Sequence, residues 1–422
     1  MKKLKIAAIG CGNRVRKYTS LAAKQPDLYK IVAAADPNEA RLNHVKNVSN
    51  NPGFRSFVSD KKLLAEEKLA DVLIIGTQDS YHYEPCKAAL LKGYDVLLEK
   101  PIAPRVEEIF ELQELAETLG RKLQVCYVLR YTPFYRKVKE IVDSGILGEI
   151  ITANAIEGVI PWHQAHSYVR GNWNRAEKSS PMIVAKCSHD TDIISWLIGK
   201  RCLSVSSFGS LKHFRASEAP AGATPRCTDD CPHLETCHYN ARKYAGEHRT
   251  PWLAQVFDRA EEASEEEIFE WLSTSDFGRC VYHSDNDVVD HQVVAMNFEE
   301  GITASLTMTA FDEGRSIELF GTKGTLKGGH FLRVKTGSDI YIDLFDGTEQ
   351  THRVETDADD PHMGGDEGIM DALYEEMTGD KSIPVSSYIQ SHIMGYAAEQ
   401  SRQTGQTVHL TDDRESFLKQ EK

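Results

Sequence analysis

A short apolar run, Lys5-Ile6-Ala7-Ala8-Ile9, ends at Gly10-Cys11-Gly12, and this junction constrains the fold more than any other feature. Small residues at 10 and 12 let a strand turn sharply into a helix and leave the N–H groups at the helix start open to an anion. Asn13 and Arg14 open that helix, and Val15 stands where a third glycine would complete a G-x-G-x-x-G pattern. Further apolar runs follow at 31–35, 71–75, 95–98 and 123–128. Between them, 84–92 and 106–119 carry apolar residues at the three- and four-residue spacing of amphipathic helices. Continuous apolar strands alternating with helices predict a parallel sheet covered on both faces.

With 422 residues the chain exceeds what one compact core usually holds, and its pattern changes near Arg130. Residues 1–128 read as an α/β domain of the Rossmann type. Residues 129–422 read as an α+β domain on an open, mostly antiparallel sheet, with strands over 278–282, 288–298, 303–309, 316–320 and 341–345 and late helices over 367–377 and 391–402. A stretch at about 211–277, holding a cysteine group and the acidic run 261–267, reads as an insertion into that sheet. Forty-nine basic against 63 acidic residues give a formal net charge of −14. That balance argues against nucleic acid or an anionic membrane as the main partner, because both need a cationic face. No apolar run approaches the roughly 18 residues of a membrane span, so a cytoplasmic protein is expected.

The strand over 31–35 leads into Asp36, whose carboxylate is placed to accept ribose hydroxyls and repel a 2′-phosphate. NAD is therefore preferred, with Arg41 close enough to keep NADP open; a cap for the next helix is the plainer role for Asp36. Thr77 and His82 lie in the loop after the strand over 71–75, at the edge from which such sheets present loops to a cofactor. Glu99-Lys100-Pro101 ends the strand over 95–98, which puts the Lys100 ammonium where it can hydrogen-bond a substrate hydroxyl. Trp162, His166 and Trp173 belong to a polar–aromatic segment suited to the mixed faces of a sugar, or equally to packing on the sheet.

Taken together, Gly10-Cys11-Gly12-Asn13, Asp36, His82, Glu99-Lys100-Pro101, Arg130-Tyr131-Thr132-Pro133, Gly145-Ile146-Leu147-Gly148-Glu149-Ile150, Cys187-Ser188-His189-Asp190-Thr191-Asp192 and Phe320-Gly321-Thr322-Lys323-Gly324-Thr325-Leu326 resemble the glucose–fructose oxidoreductase/inositol dehydrogenase (Gfo/Idh/MocA) family. The resemblance implies NAD(P)-dependent oxidation of a secondary alcohol on a sugar, glycoside or cyclitol, by a homodimer or homotetramer. It places the catalytic lysine at Lys100 and the catalytic histidine at His189, with Asp192 beside it and Arg130 among the substrate-side residues. Related dehydrogenases often carry an aspartate four residues before that histidine. Here the position is Ala185, so the neighbouring Lys186 becomes the candidate polar group. The same fold also admits an enzyme that cycles tightly held NAD internally, or a non-catalytic ligand sensor.

The insertion carries Cys227-x3-Cys231-x5-Cys237, and Cys280-x2-His283 follows. Cys227, Cys231, Cys237 and Cys280 supply the four thiolates of a structural zinc site. The spacing leaves reduced free cysteines, an iron–sulfur cluster and a disulfide open as well.

Overall fold

A computed structural model describes residues 3–329, 339–355, 362–379 and 383–410. Two sheets organise them. In the first, six strands run in the order β3-β2-β1-β4-β5-β6, all parallel. They are β1 (Leu4–Ile9), β2 (Tyr29–Ala35), β3 (Arg55–Phe57), β4 (Val72–Ile75), β5 (Asp95–Leu98) and β6 (Leu123–Val125). β1, β2, β4 and β5 are almost wholly buried, because helices such as Asn13–Lys24 and Val106–Leu119 cover both faces. The order reverses between β1 and β4. A crevice opens at the carboxyl ends of the strands at such a reversal, and it admits a ligand.

The second sheet is mixed and has nine strands, in the order β14-β13-β12-β11-β7-β10-β9-β8-β15. β7 (Ile150–Gly158), β8 (Cys202–Ser210), β9 (His291–Phe298), β10 (Thr303–Thr309), β11 (Gly314–Gly321), β12 (Gly324–Gly329), β13 (Ile340–Leu344), β14 (Glu349–His352) and β15 (Val408–His409) make it up. Only β7 and β10 pair in parallel; the other neighbours are antiparallel. One face packs on the helices Ser188–Ile198 and Val385–Thr404. On the other, Phe208 and Val293, paired across β8 and β9, stand exposed, as does Ile156 on β7.

The insertion falls between β8 and β9. Its one α-helix longer than a turn, Glu265–Thr274, is held by a capping box in which Ser264 and Glu267 satisfy each other's backbone N–H groups. The expected strand at 278–282 does not form. Asp276–Gly278 is a 3-10 turn, and Arg279 makes only an isolated bridge to Arg226. Cys280 therefore sits in a turn rather than on a strand.

Candidate active site

The carboxyl ends of β1, β2, β4 and β5 bring Gly10, Asp36, Thr77 and Lys100 to one edge of the first sheet. Gly10 has φ +79°, and a Cβ there would lie 2.8 Å from the carbonyl oxygen of Gly76 and from the nitrogen of Thr77. Gly12 caps the helix Asn13–Lys24 without any side-chain hydrogen bond to its first turn, so those N–H groups remain open to an anion. Val15, in place of the third glycine, costs nothing, because the close contact has moved to the facing strand end. A Cβ on Gly76 would come within 2.6 Å of Val15 Cγ2. Asp36 is buried and ties the turn together: its Oδ2 accepts the Cys11 N–H at 2.6 Å and its Oδ1 the Asn38 N–H at 2.8 Å. The cap of the helix Glu39–Ser49 is Asn38, not Asp36. Arg41 turns away, toward Asp258 of the insertion at 3.7 Å.

Arg14 and Glu99 lie beneath this turn and are committed to each other at 3.1 Å. Arg14 also donates to Asp366 at 3.0 Å, while Glu99 accepts the Tyr18 hydroxyl at 2.7 Å. This cluster fastens the C-terminal helix Gly365–Thr378 to the first domain. The His82 ring bridges the Pro101 carbonyl at 2.6 Å and the Thr77 carbonyl at 3.1 Å. It thereby couples the β4 loop to the cis Lys100–Pro101 peptide. His392 supports the same loop from the other domain, accepting the Ile102 N–H at 2.9 Å while its Nδ1 faces the Tyr127 hydroxyl.

Burial holds the pKa of His392 at about 3, against an ordinary 6.5. The unfolded chain therefore takes up this proton below pH 6.5 while the folded chain refuses it until about pH 3. Stability must fall with acid across that window, by about 1.4 kcal/mol per pH unit for this one group. His392→Gln is expected to remove that slope from the pH dependence of urea unfolding between those limits and to leave the slope above pH 6.5 unchanged.

At the centre of the cleft, Lys100 Nζ donates to the carbonyl oxygen of Ala185 at 2.7 Å. A backbone acceptor thus stands at the position where related enzymes often place a carboxylate. Burial lowers the pKa of Lys100; Lys186 and Arg14 push the same way, against Glu99 and Asp79. His189, four residues beyond Ala185, is buried, and its Nδ1 has no hydrogen-bond partner. Burial first, and then the Lys100 and Arg315 charges, hold its pKa well below 6.5, so the imidazole is neutral.

Asp79, Glu157, Arg315 and His163, none of them singled out from the sequence, complete the site together with Lys186 and Asp190. Asp79 is buried and accepts Trp173 Nε1 at 3.0 Å; burial raises its pKa while His82 and Lys100 pull it back. Lys186 pairs with Glu157 at 3.1 Å, and Arg315 pairs with both Glu157 at 2.7 Å and Asp190 at 2.9 Å. Burial lifts Asp190 to about 6 against the pull of Arg315. His163 is also kept uncharged, chiefly by burial and then by Lys186. The places of Lys186 and Asp190 beside His189 were the available sequence signals; Glu157 and Arg315 meet through strand register.

Other expected site residues fall outside the cleft or are already engaged. Trp162 stacks on His248 with ring centroids 3.7 Å apart, and His166 Nδ1 meets the Tyr244 hydroxyl at 2.5 Å. Both face the insertion; the segment Gln164–Arg170 is buried, with Ala165 and Val169 packed against Phe214 and Tyr239 of the insertion and Tyr168 in the main core. Arg130 and Asp192 form a bidentate pair, Nε–Oδ2 2.7 Å and Nη2–Oδ1 2.6 Å, with both side chains buried. Among the described residues no group of three or more His, Cys, Asp or Glu side chains could hold a metal ion. The zinc expected on Cys227, Cys231, Cys237 and Cys280 is therefore not supported.

Two sequence-family descriptions match the chain: "Oxidoreductase family, NAD-binding Rossmann fold" over residues 4–127 and "Oxidoreductase family, C-terminal alpha/beta domain" over residues 139–410. YteT of Bacillus subtilis, named as an oxidoreductase, is 24% identical over 364 residues, 82% of either chain. An inositol 2-dehydrogenase of Corynebacterium glutamicum is 26% identical over 205 residues, 48% of this chain and 57% of that one. Among solved structures, scyllo-inositol dehydrogenase from Lactobacillus casei, with bound NAD(H) and scyllo-inositol, superposes with a TM-score of 0.65 at 18% identity, over 97% of this chain and 99% of that one. Among the described residues no helix is long and apolar enough to cross a membrane. The two matched regions, one for each sheet, identify this chain as an oxidoreductase of the Gfo/Idh/MocA family.

Proposed function

We propose that this chain is an NAD-dependent dehydrogenase that oxidises a secondary alcohol of a sugar, glycoside or cyclitol. One observation carries the reading: a neutral, buried His189 with an unpartnered Nδ1, electrostatically coupled to the Lys100 ammonium beside a dinucleotide-type turn. The N–H groups at Gly12 and Asn13 suit a pyrophosphate, and Asp36, with Arg41 drawn off by Asp258, favours NAD over NADP. When bound, NAD supplies the hydride acceptor. His189 takes the proton of the substrate hydroxyl, for which it must be uncharged beforehand, as its lowered pKa ensures. Lys100 hydrogen-bonds the same oxygen and stabilises the negative charge that develops there.

The wall around these groups suits a polyol. Trp173 offers an aromatic face to C–H bonds, and His163, Lys186 and Asp190 offer polar atoms to hydroxyls. Similarity to an inositol 2-dehydrogenase supports the same substrate class.

The test is to incubate the full chain with NAD and a panel of sugars, glycosides and cyclitols. Free NADH is expected to accumulate in equal amount with a ketone product for at least one of them. Conversion of a substrate with no NADH released would overturn the reading in favour of an internal redox cycle. No conversion of any panel member, with NAD bound, would leave a ligand sensor.

A further inference from the structure

The rim of the dinucleotide crevice includes one acidic group from outside the first domain. Asp258 belongs to the insertion, 220 residues beyond Asn38. Its Oδ2 nevertheless accepts the Asn38 side-chain N–H at 3.0 Å, and its Oδ1 stands 3.7 Å from Arg41 Nη2. Both partners lie just past Asp36, where β2 passes into the helix Glu39–Ser49. The insertion's own packing holds Asp258 in place. The neighbouring Phe257 ring stacks on Trp271 with centroids 5.2 Å apart. Ala260 is buried in the insertion's core, and its carbonyl accepts Arg249 Nε at 2.7 Å. A carboxylate fixed between two such anchors loses little further freedom when it meets a cation.

Arg41 is the cation that matters here. In a dinucleotide fold the acidic residue ending the second strand takes the ribose hydroxyls, and an arginine close behind it accommodates the 2′-phosphate of NADP. Asp36 and Arg41 occupy those two places. Arg16 approaches the same turn from the helix Asn13–Lys24. Burial raises the pKa of the Cys11 thiol and Asp36 raises it further, while Arg41 and Arg16 both lower it, so all three charges are felt at the turn. The Nε atoms of Arg16 and Arg41 are buried without a hydrogen-bond partner. The turn thus carries the cations of a 2′-phosphate site, and two carboxylates stand against them. Asp36 is committed to the N–H groups of Cys11 and Asn38, and Asp258 is the carboxylate that meets Arg41.

A 2′-phosphate would bring close to two negative charges at neutral pH. It would have to draw Arg41 from Asp258 and then stand beside that carboxylate. Like charges brought together are one way a site refuses the wrong partner. NAD carries only a hydroxyl at that position and asks for neither step.

We propose that, with a dinucleotide in this crevice as in the reading above, Asp258 selects NAD over NADP by occupying Arg41. The insertion is then part of the cofactor site, and a segment of the second domain decides which nucleotide the first domain accepts.

The test is made on the full chain by calorimetric titration with NAD and with NADP, so it reads binding rather than turnover. The quantity compared is the ratio of the two Kd values. Asp258→Ala is expected to shift that ratio toward NADP by about fivefold, which is what one exposed ion pair contributes. Asp258→Asn, which keeps the shape of the side chain, should shift it the same way. Glu235→Ala, which removes an exposed charge elsewhere in the insertion, should leave the ratio as it is. In a chain already carrying Arg41→Ala, the change Asp258→Ala should move the ratio by less than about twofold. An unchanged ratio in both Asp258 variants, with NAD still bound, would overturn the selection and leave the dehydrogenase reading standing. So would an equal shift in Glu235→Ala, the full shift without Arg41, or an unaltered chain that binds NADP more tightly than NAD. A chain that binds neither nucleotide would remove the dehydrogenase reading as well.

Discussion

Lys100→Met is expected to lower kcat/KM for the substrate by about two orders of magnitude or more, equivalent to about 3 kcal/mol of transition-state stabilisation, without lowering the denaturation midpoint. The two halves of this expectation have one cause. Burial makes the fold hold the Lys100 proton less tightly than water does, so the ammonium is an energetic cost to the folded state. Its hydrogen bond to the Ala185 carbonyl is a weak recompense. Methionine matches the length of the side chain and removes the charge, so stability should hold or rise. Turnover should collapse because the group proposed to stabilise the developing negative charge on the substrate oxygen is gone. NAD binding, followed by fluorescence titration, should persist, since the turn at Gly10 and Gly12 is untouched. A variant that keeps its kcat/KM would remove Lys100 from the chemistry, and one that loses stability and activity together would make it a structural residue.

The legible part of this site is the part carried by local signals. Gly10, Asp36 and Lys100 each follow a continuous apolar run, so the end of a buried strand can be recognised without knowing its neighbours. β3 gave no such signal: Arg55–Phe57 is a short edge strand with two exposed residues and no apolar run. The polar network behind His189 was illegible for a different reason. Glu157 and Arg315 meet only because β7 and β11 pair in a register that sets them opposite each other. Arg14 finds Asp366 across 352 residues of sequence. Trp162 and His166 look like sugar-binding residues from composition alone. Their burial depends on an insertion that begins more than forty residues later, at about 211, and folds back over them, and nothing in the segment itself announces that cover. The cysteine set was recognisable by spacing, but whether its side chains converge on a metal is a tertiary property, and among the described residues they do not.

Asp192→Ala is expected to cost about 3–5 kcal/mol of stability, read as a fall in the urea midpoint, because it strands the buried Arg130 guanidinium. Both carboxylate oxygens are engaged by that one guanidinium. Its other contacts among the described residues are Ser387, through Oγ at 3.3 Å and the carbonyl at 3.2 Å, and the rings of Tyr388 at 5.1 Å, Trp196 at 5.9 Å and Tyr127 at 6.0 Å; none brings a negative charge. Replacing both members, as Arg130→Met with Asp192→Leu, should recover most of the loss, since an apolar pair of similar volume avoids the desolvation of two charges. The same pair of variants separates two roles for Asp192. It lies in the helix Ser188–Ile198, one turn from His189, so a purely positioning function predicts that the stable double variant regains kcat along with stability. A direct contact with substrate predicts instead a stable double variant whose KM stays high, because the apolar replacements offer no partner to a hydroxyl. The bidentate geometry favours the first outcome, for a carboxylate already satisfied by a guanidinium has little left to give a ligand.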